Sequence, residues 1–308
     1  MDPDTPKFRE AISGPHREEF LDAMRKEIEV LESLGTWKVV KKGDVPENTN
    51  VIPTTWAFKI KRYPDGRLRK YKARFCVRGD KQKEGVDYDE KYAPVVSWST
   101  VRMLMRLALK EDWKTRQVDF QNAFAQAPLK ENVYIKLPPM FDGEDSSDIV
   151  LKLNKSLYGL VQAPLTWYDY LKMEFANQEF IPSEIDPCLF YGKDMMAMVY
   201  VEDVVFFGKD LSKIDKTIEG FKSNGYALTK EENLFHFLGV DITQNEKTGK
   251  VTLKQLGLIN KILKYVDMED CNTKETPAMK TPLCTDAGGE PFNEKWEYAR
   301  VVGIAFTA

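Results

Sequence analysis

The sequence predicts an α+β fold, because amphipathic helical segments alternate with pairs of strands that are joined by short turns. Two strand pairs carry most of this prediction: a strongly basic one within residues 58–77 and an apolar one within residues 195–208. A helix with apolar residues three and four positions apart precedes both. With 308 residues, 43% of them hydrophobic, the chain is long enough to form two or three lobes.

Composition narrows the classes of function. The net charge of −3 does not indicate a nucleic-acid-binding protein, so any such role must rest on local charge. No apolar segment reaches membrane-spanning length, and the polar N-terminus lacks a signal pattern. With only His16 and His236, a histidine-based metal site or catalytic triad is not expected, and four cysteines without CxxC spacing indicate reduced thiols.

The first predicted element is a helix from Glu18 to Leu34, which Gly35 ends. We interpret it as a packing helix without chemistry. Strands are predicted next at Thr36–Val40 and Thr54–Ile60, separated by a loop that contains Pro, Asn and Gly.

Residues 59–83 carry a local excess of positive charge, because they contain eleven Lys and Arg residues and only two acids, Asp65 and Asp80. The turn signal Tyr63–Gly66 predicts a basic β-hairpin, and alternation along its strands places several cations on one face. That face is either a solvated charged surface or a clamp on phosphates that acts through charge and bidentate arginine contacts. Its members are Lys59, Lys61, Lys70, Lys72 and Arg74.

Acidic residues occur where apolar strands end. A helix capped by Ser97 or Ser99 leads into a strand at Thr115–Phe120, which carries Asp119. The strands Met198–Tyr200 and Val204–Phe207 flank Glu202 and Asp203 at a tight turn. These acids are either solvated turn residues or oxygen ligands that hold hard cations beside a charged substrate.

Many motifs occur in one order along nearly the whole chain: WAFKIKR, KYKAR, YDEKYAPVVSWSTVR, VDFQNAFAQAPL, SLYGLVQAPLTWYDYL, DPCLFY, YVEDVVFFG and FLGVDI. Together they resemble the reverse transcriptase of Ty1/copia-type LTR retrotransposons, part of a Pol polyprotein. The resemblance implies a right-hand polymerase, a layout that periodicity alone does not predict. Fingers are expected at 1–94 and 127–162, a palm with an antiparallel sheet at 95–126 and 163–240, and a partial thumb at 241–308, which includes a helix at Leu256–Val266.

The resemblance also implies roles for individual residues. It implies metal ligation by Asp119, the carbonyl of Phe120, Glu202 and Asp203, with Lys230 as the acid that protonates pyrophosphate. It implies nucleotide contacts from the remaining matched residues, which are Lys61, Lys72, Arg74, Phe120, the sugar-gating Phe124, Tyr158 and Gly159. It implies a primer grip at Phe237, Leu238, Gly239 and Val240.

Polymerase chemistry requires a primer hydroxyl to attack an α-phosphorus in line. Two Mg²⁺ ions can stabilise the attacking and leaving oxygens, and we expect Mn²⁺ to substitute for them. The resemblance implies an RNA or DNA template with primer and dNTPs as partners, together with RNase H and integrase segments of the polyprotein. No membrane is expected as a partner, and the expected location is the cytoplasm, including virus-like particles.

Three features depart from the family. The tip reads YVED instead of YVDD, and the extra methylene of Glu202 displaces its oxygens by about 1.5 Å. Because Mg²⁺ requires near-ideal octahedral geometry, we expect a metal site with reduced activity. Val161 replaces a common lysine, and the chain ends at Ala308 within an apolar helical pattern, as expected for a polyprotein fragment.

Two functions follow from these observations. The first is an RNA-directed DNA polymerase, a nucleotidyltransferase that uses the three carboxylates. The alternative is a catalytically impaired, nucleic-acid-binding remnant that keeps the fold and the basic fingers. An unrelated enzyme that uses two of the acids for general acid–base catalysis lacks any further pocket signature in the sequence. The sequence leaves open the primer, the fidelity and the oligomeric state.

Overall fold

A computed structural model of the chain describes residues 4–63, 67–140, 148–231, 236–237, 240–244, 250–273 and 296–306. They belong to two compact units, Met1–Asn233 and Leu234–Ala308. Both units combine helices with antiparallel strands, which confirms the α+β class. No helix among these residues is both long enough and apolar enough to cross a membrane.

The first unit begins with two helices that pack on the basic hairpin. Helix α1 spans Phe8–Ser13 and α2 spans Arg17–Ser33, close to the predicted bounds, while the hairpin consists of β3 (Thr54–Arg62) and β4 (Leu68–Val77). The ring of Phe20 packs edge-on against Phe58 at 5.1 Å. Gly35 ends the helical segment with φ +65°, a conformation that glycine adopts without steric cost.

A small mixed sheet packs with the hairpin, and its strands lie in the spatial order β1-β7-β6-β2. Its strands are β1 (Trp37–Lys41), β2 (Val51–Ile52), β6 (Tyr134–Ile135) and β7 (Ile149–Leu153). Apolar residues of this sheet and of the hairpin form one core with α2, which includes Leu31, Phe75 and Leu153. This core fixes the hairpin on one side, so that its charged face is left for other contacts.

The larger sheet has six strands in the order β12-β5-β11-β10-β9-β8. Strand β5 (Lys114–Phe120) lies in the interior, between β11 (Asp203–Gly208) and β12 (Leu228–Glu231). The others are β8 (Ile181–Pro182), β9 (Leu189–Gly192) and β10 (Met195–Tyr200). The predicted strand at 115–120 and the predicted apolar hairpin are therefore neighbours, which the sequence alone did not establish.

One face of this sheet is apolar and is covered by α5 (Ala163–Asn177) and α6 (Leu211–Ser223). Val118, Phe120, Val204 and Phe206 point to that face, where they pack with residues such as Trp167. Helix α3 (Trp98–Lys110) begins after Ser97, whose Oγ accepts the Thr100 N–H, and the short α4 (Ala123–Gln126) follows β5. The opposite face of β5 and β11 carries the acids.

The second unit contains β13 (His236–Phe237), β14 (Val240–Gln244) and β15 (Val251–Lys254), which form an antiparallel sheet. Helix α7 spans Leu256–Tyr265, close to the predicted helix at 256–266, and α8 spans Tyr298–Phe306.

Candidate functional site

Two carboxylates face each other across adjacent strands. Asp119 of β5 lies directly opposite Asp203 of β11, and Thr229 of β12 lies opposite Asp119 on the other side. Because side chains directly opposite one another share a face of the sheet, the two acids project together. Gln117 lies two residues before Asp119 on the same face, and its Nε2 donates to Asp203 Oδ1 at 3.4 Å.

The turn beside Asp203 is tightly held. Tyr200 pairs with Asp203, which leaves Val201 and Glu202 as a two-residue loop. Val201 has φ +52°, a strained conformation for a β-branched residue and one that usually marks a functional turn. Trp167 Nε1–H donates to the Val201 carbonyl at 2.6 Å, and the Phe120 N–H donates to the Glu202 carbonyl at 2.8 Å. These bonds fix the tip of the hairpin against β5 and α5.

The Glu202 side chain points toward the basic hairpin. Its Oε2 accepts the Tyr158 hydroxyl at 3.0 Å, and its Oε1 lies 3.6 Å from a terminal nitrogen of Arg74. Within the part of the chain that is described, no three His, Cys, Asp or Glu side chains form a group that could hold a metal ion. The structure therefore does not support the predicted three-carboxylate cluster, because Tyr158 and Arg74 engage the longer glutamate side chain.

Burial and mutual repulsion weaken the acidity of the aspartate pair. Burial, followed by the charge of Asp119, raises the pKa of Asp203 to about 6. Burial and the charge of Glu202 raise the pKa of Asp119, against the opposing effect of Lys61, Lys72 and Arg74. Two half-buried carboxylates with raised pKa values, held on rigid strands, are suitable oxygen donors for a hard divalent cation. The pair therefore fits Mg²⁺ in donor chemistry.

We expect Asp203→Asn to stabilise the first unit at pH 7.5. The pKa of Asp203 in the folded chain is about 6, against an ordinary value of 3.8, so ionisation of this carboxyl disfavours folding. The protonated Asp203 carboxyl stabilises the fold fully below pH 3.8, and this stabilisation is lost as the pH rises through 6. Removing the charge should raise the free energy of unfolding by about 1–2 kcal/mol at pH 7.5, after discounting for partial exposure, and by little at pH 4.5.

Thermal denaturation in EDTA at both pH values measures this effect. The control is Asp210→Asn. Asp210 caps α6 by accepting the Ser212 N–H at 2.8 Å, and hydrogen bonds from the Ser212 hydroxyl and N–H lower the pKa of its carboxyl. The control should show no gain at pH 7.5. An equal gain for Asp203→Asn at both pH values would contradict an electrostatic origin.

The charged face of the hairpin follows the predicted alternation. Lys59 lies opposite Lys72 and Lys61 lies opposite Lys70, so these four side chains share one face with Arg74. Burial and the neighbouring Arg74 lower the pKa of Lys72 to about 8, and burial likewise lowers that of Lys61. Such crowded, partly desolvated cations are stabilised by any anion that binds between them.

Tyr158 connects the hairpin to the acidic turn. Its ring lies 4.4 Å from the Arg74 guanidinium carbon and packs edge-on against Phe124 at 4.8 Å. Burial and the charge of Glu202 raise the pKa of its hydroxyl, which therefore stays protonated as a donor. Gly159 has φ +89°, and a Cβ there would lie 2.1 Å from the Val77 carbonyl, so only glycine allows this loop to reach β4.

Lys230 lies away from the acids. It is opposite Val118 and therefore on the apolar face of the sheet, where its Nζ contacts Asp215 of α6 at 3.1 Å. Arg116 contacts the same carboxylate at 3.2 Å. Because the strand period is two, a residue one position from Thr229 must point away from Asp119. This placement does not support Lys230 as the proton donor.

A family model described as "Reverse transcriptase (RNA-dependent DNA polymerase)" matches residues 34–280, most of the chain. This chain belongs to the reverse transcriptase family. The match covers both acidic strands, the basic hairpin and the loop with Tyr158.

Similar curated proteins are Pol polyproteins of Ty1/copia-type transposons, which confirms the resemblance. The chain is 31% identical to the Retrovirus-related Pol polyprotein from transposon TNT 1-94 of Nicotiana tabacum, over 96% of the chain and 23% of that protein. It is 33% identical to that of transposon RE1 of Arabidopsis thaliana, over 97% of the chain and 21% of that protein. The chain thus spans less than a quarter of these relatives.

The chain is also similar to two more distant proteins. The Transposon Ty1-NL1 Gag-Pol polyprotein of Saccharomyces cerevisiae is 28% identical over 91% of the chain and 15% of that protein. A structure of the foamy viral protease-reverse transcriptase in complex with ds DNA is similar, with a TM-score of 0.42 and 14% identity, over 78% of this chain and 36% of that chain.

Two groups of predicted reverse transcriptase residues have limited support. In the predicted primer grip, Phe237 pairs with Val240 and both are buried, whereas residues 238 and 239 lie outside the described residues. Phe120 is 1% exposed, and its ring packs on Trp167 and Tyr226. Its ring is therefore a core group, and only its backbone can face a nucleotide or metal.

Sequence reasoning missed three residues on the elements that surround this site. Gln117 could have been found from its spacing of two residues before Asp119, which places both on one face of a strand. Glu27 occupies an apolar position in the helical pattern of α2, three residues after Met24. Trp167 had no such signal, because only tertiary packing brings its indole to the carbonyl of Val201.

Proposed function

We propose that this chain is an RNA-directed DNA polymerase that extends a primer by template-directed nucleotidyl transfer. One observation carries the proposal: the opposed pair Asp119 and Asp203 lies beside a basic face that reaches it through Arg74, Tyr158 and Glu202. Phosphoryl transfer requires carboxylates that hold metal cations and cationic side chains that bind phosphates.

In the proposed polymerase, the basic residues bind the triphosphate and the acidic residues hold the metal ions. Lys61, Lys72 and Arg74 neutralise the triphosphate, which places its α-phosphorus near the strand ends that carry the acids. Asp119 and Asp203 would hold Mg²⁺, which when bound supplies charge stabilisation for the attacking and leaving oxygens. The strained turn at Val201 and its bond from Trp167 keep Asp203 in position, since errors of about 1 Å cost on the order of 100-fold in rate.

A second candidate is a nucleic-acid-binding remnant that no longer polymerises. The specific observation in its favour is Glu202, which replaces the family aspartate and points toward Tyr158 and Arg74 instead of joining the aspartate pair. The basic hairpin would keep its affinity for phosphates in either case.

Primer extension distinguishes the two candidates. The chain is incubated with a poly(rA) template, an oligo(dT) primer and dTTP, with Mg²⁺ and separately with Mn²⁺, and binding of the same duplex is measured in parallel. A polymerase should add dTMP residues only when the template is present. Duplex binding without extension under either metal would support the remnant and overturn the polymerase proposal.

Phe124→Val is expected to weaken discrimination against ribonucleotides. Phe124 belongs to α4, the short helix that follows β5, and its ring packs against Tyr158. In the proposed polymerase this ring lies under the sugar of the incoming nucleotide. Opening this space should raise the kcat/KM ratio of UTP to dTTP by about 10- to 100-fold. Single-nucleotide extension with each substrate measures the ratio.

Phe124→Tyr is the matched control, because it retains the ring and should keep discrimination close to that of the wild type. An unchanged ratio in Phe124→Val would show that another group excludes the 2′-hydroxyl.

A further inference from the structure

Helix α2 contains a carboxylate on its buried face. Glu27 is 9% exposed and lies beside the buried residues Met24, Ile28 and Leu31. Its Oε1 is buried without a hydrogen-bond partner among the described residues, and burial raises the pKa of this carboxyl. Burying a carboxylate is costly unless a cation or a donor compensates for it, so this position calls for a reason beyond packing.

The cations nearest to Glu27 belong to the basic hairpin. Lys72 and Arg74 both act on its carboxylate electrostatically and oppose the rise in its pKa that burial causes. Lys72 in turn is influenced by Arg74, Lys61, Glu27 and Glu202. Helix α2 packs on β4, so Glu27 and Glu202 both act electrostatically on Lys72 from different elements.

Arg74 also has a buried polar atom without a hydrogen-bond partner among the described residues. Its Nε is buried and lacks a hydrogen-bond partner in the described part of the chain, while a terminal nitrogen lies 3.6 Å from Glu202 and the guanidinium covers the ring of Tyr158. The two unpartnered atoms are complementary, since one is an N–H donor of a cation and the other is an oxygen acceptor of a carboxylate.

We propose that Glu27 is a positioning residue for the incoming triphosphate, a fixed counter-charge that anchors Arg74 through its Nε–H while the terminal nitrogens bind phosphate. This inference rests on the proposed polymerase function. In the present conformation Arg74 contacts Glu202, so phosphate binding requires its terminal nitrogens to leave that acid. A carboxylate held on the buried face of α2 supplies a partner during that exchange and releases Glu202 toward Asp119 and Asp203.

Glu27→Gln tests the proposal because the amide keeps the shape of the side chain but loses its charge. We expect KM for dTTP to rise about tenfold, with kcat and duplex affinity each within about threefold of wild type. In an Arg74→Gln background the same substitution should change KM by less than twofold, because the two residues act as one unit. Glu29→Gln, an exposed glutamate on the same helix, is the matched control and should change nothing.

The outcomes separate a positioning role from a structural one. A purely structural Glu27 would give an altered melting temperature with unchanged KM, or an equal rise in KM in the Arg74→Gln background, and either result would overturn the proposal. Fluorescence titration of dTTP into the chain bound to a dideoxy-terminated primer and template provides a readout without catalysis. If the wild type binds dTTP but does not extend, and Glu27→Gln weakens that binding tenfold, the polymerase function fails and the role of Glu27 stands. If the wild type neither extends nor binds dTTP, both fail.

Discussion

Replacing Asp119 by asparagine is expected to reduce primer extension by at least about 1000-fold while leaving the chain folded. Asp119 lies opposite Asp203 in the interior of a six-stranded sheet, so no neighbouring acid can take its position without breaking the strand register. The substitution preserves size and removes the negative charge that would hold a cation at the end of β5. Losses of this size follow the removal of a single group that acts in the transition state.

Steady-state extension of oligo(dT) on poly(rA) measures this effect, with far-ultraviolet circular dichroism as the test of folding. The matched control is Asp112→Asn, an acid that pairs with Lys114 at the start of the same strand and is largely exposed. Asparagine tolerates its φ of +50°, so this control should extend primers at the wild-type rate. Asp119→Asn activity within tenfold of wild type would remove Asp119 from the catalytic set.

Glu202→Asp is expected to raise the rate of extension by about 10- to 100-fold. The shorter side chain cannot reach both Tyr158 and Arg74, which now hold the Glu202 carboxylate away from Asp119 and Asp203. Its oxygens would move back by about 1.5 Å toward the end of β11, and an error of about 1 Å costs on the order of 100-fold. The substitution also frees Arg74 to bind the triphosphate.

Single-turnover extension in Mg²⁺ and in Mn²⁺ tests this expectation, and the gain should be larger in Mg²⁺ because that ion demands stricter geometry. Glu231→Asp is the matched control, since Glu231 lies on the same face of the sheet and is exposed. A slower Glu202→Asp enzyme in both metals would mean that the backbone already accommodates the glutamate and that its contact with Tyr158 assists catalysis.

The exchange of partners that we propose for Arg74 would link Glu202 with Glu27. Glu202 lies 3.6 Å from this guanidinium at the acidic turn, and Arg74 acts electrostatically on the buried Glu27 of α2. Since a guanidinium is charged at any working pH, its position is set by competition among anions. A bound triphosphate would join that competition, which explains how substrate binding could reorganise the carboxylates.

Local patterns predicted the elements that carry these residues. The alternation of the basic hairpin placed Lys61, Lys72 and Arg74 on one face, as the register of β3 and β4 confirms. The helix at 18–34 and the strand at 115–120 lie within a residue or two of their predicted bounds. Such features depend on side-chain period and turn chemistry, which are properties of a few consecutive residues.

Lys230 shows where a local match is insufficient. Its position in the motif order suggested a proton donor, but the pairing of β12 with β5 turns its side chain to the face that α6 covers. A shift of one residue reverses the face of a strand, and only the register between strands that are distant in sequence decides it.

The sequence by itself determined the family, the α+β class and the identity of the acids and cations, because motif order and periodicity are written along the chain. Only the tertiary structure decided that Asp119 and Asp203 form a pair, that Glu202 turns to Tyr158 and Arg74, and that Glu27 lies behind the basic hairpin. The physical reason is that each of these contacts joins residues more than 40 positions apart. Their geometry depends on strand register, on close backbone approaches such as Gly159 to Val77, and on burial, which no local pattern specifies.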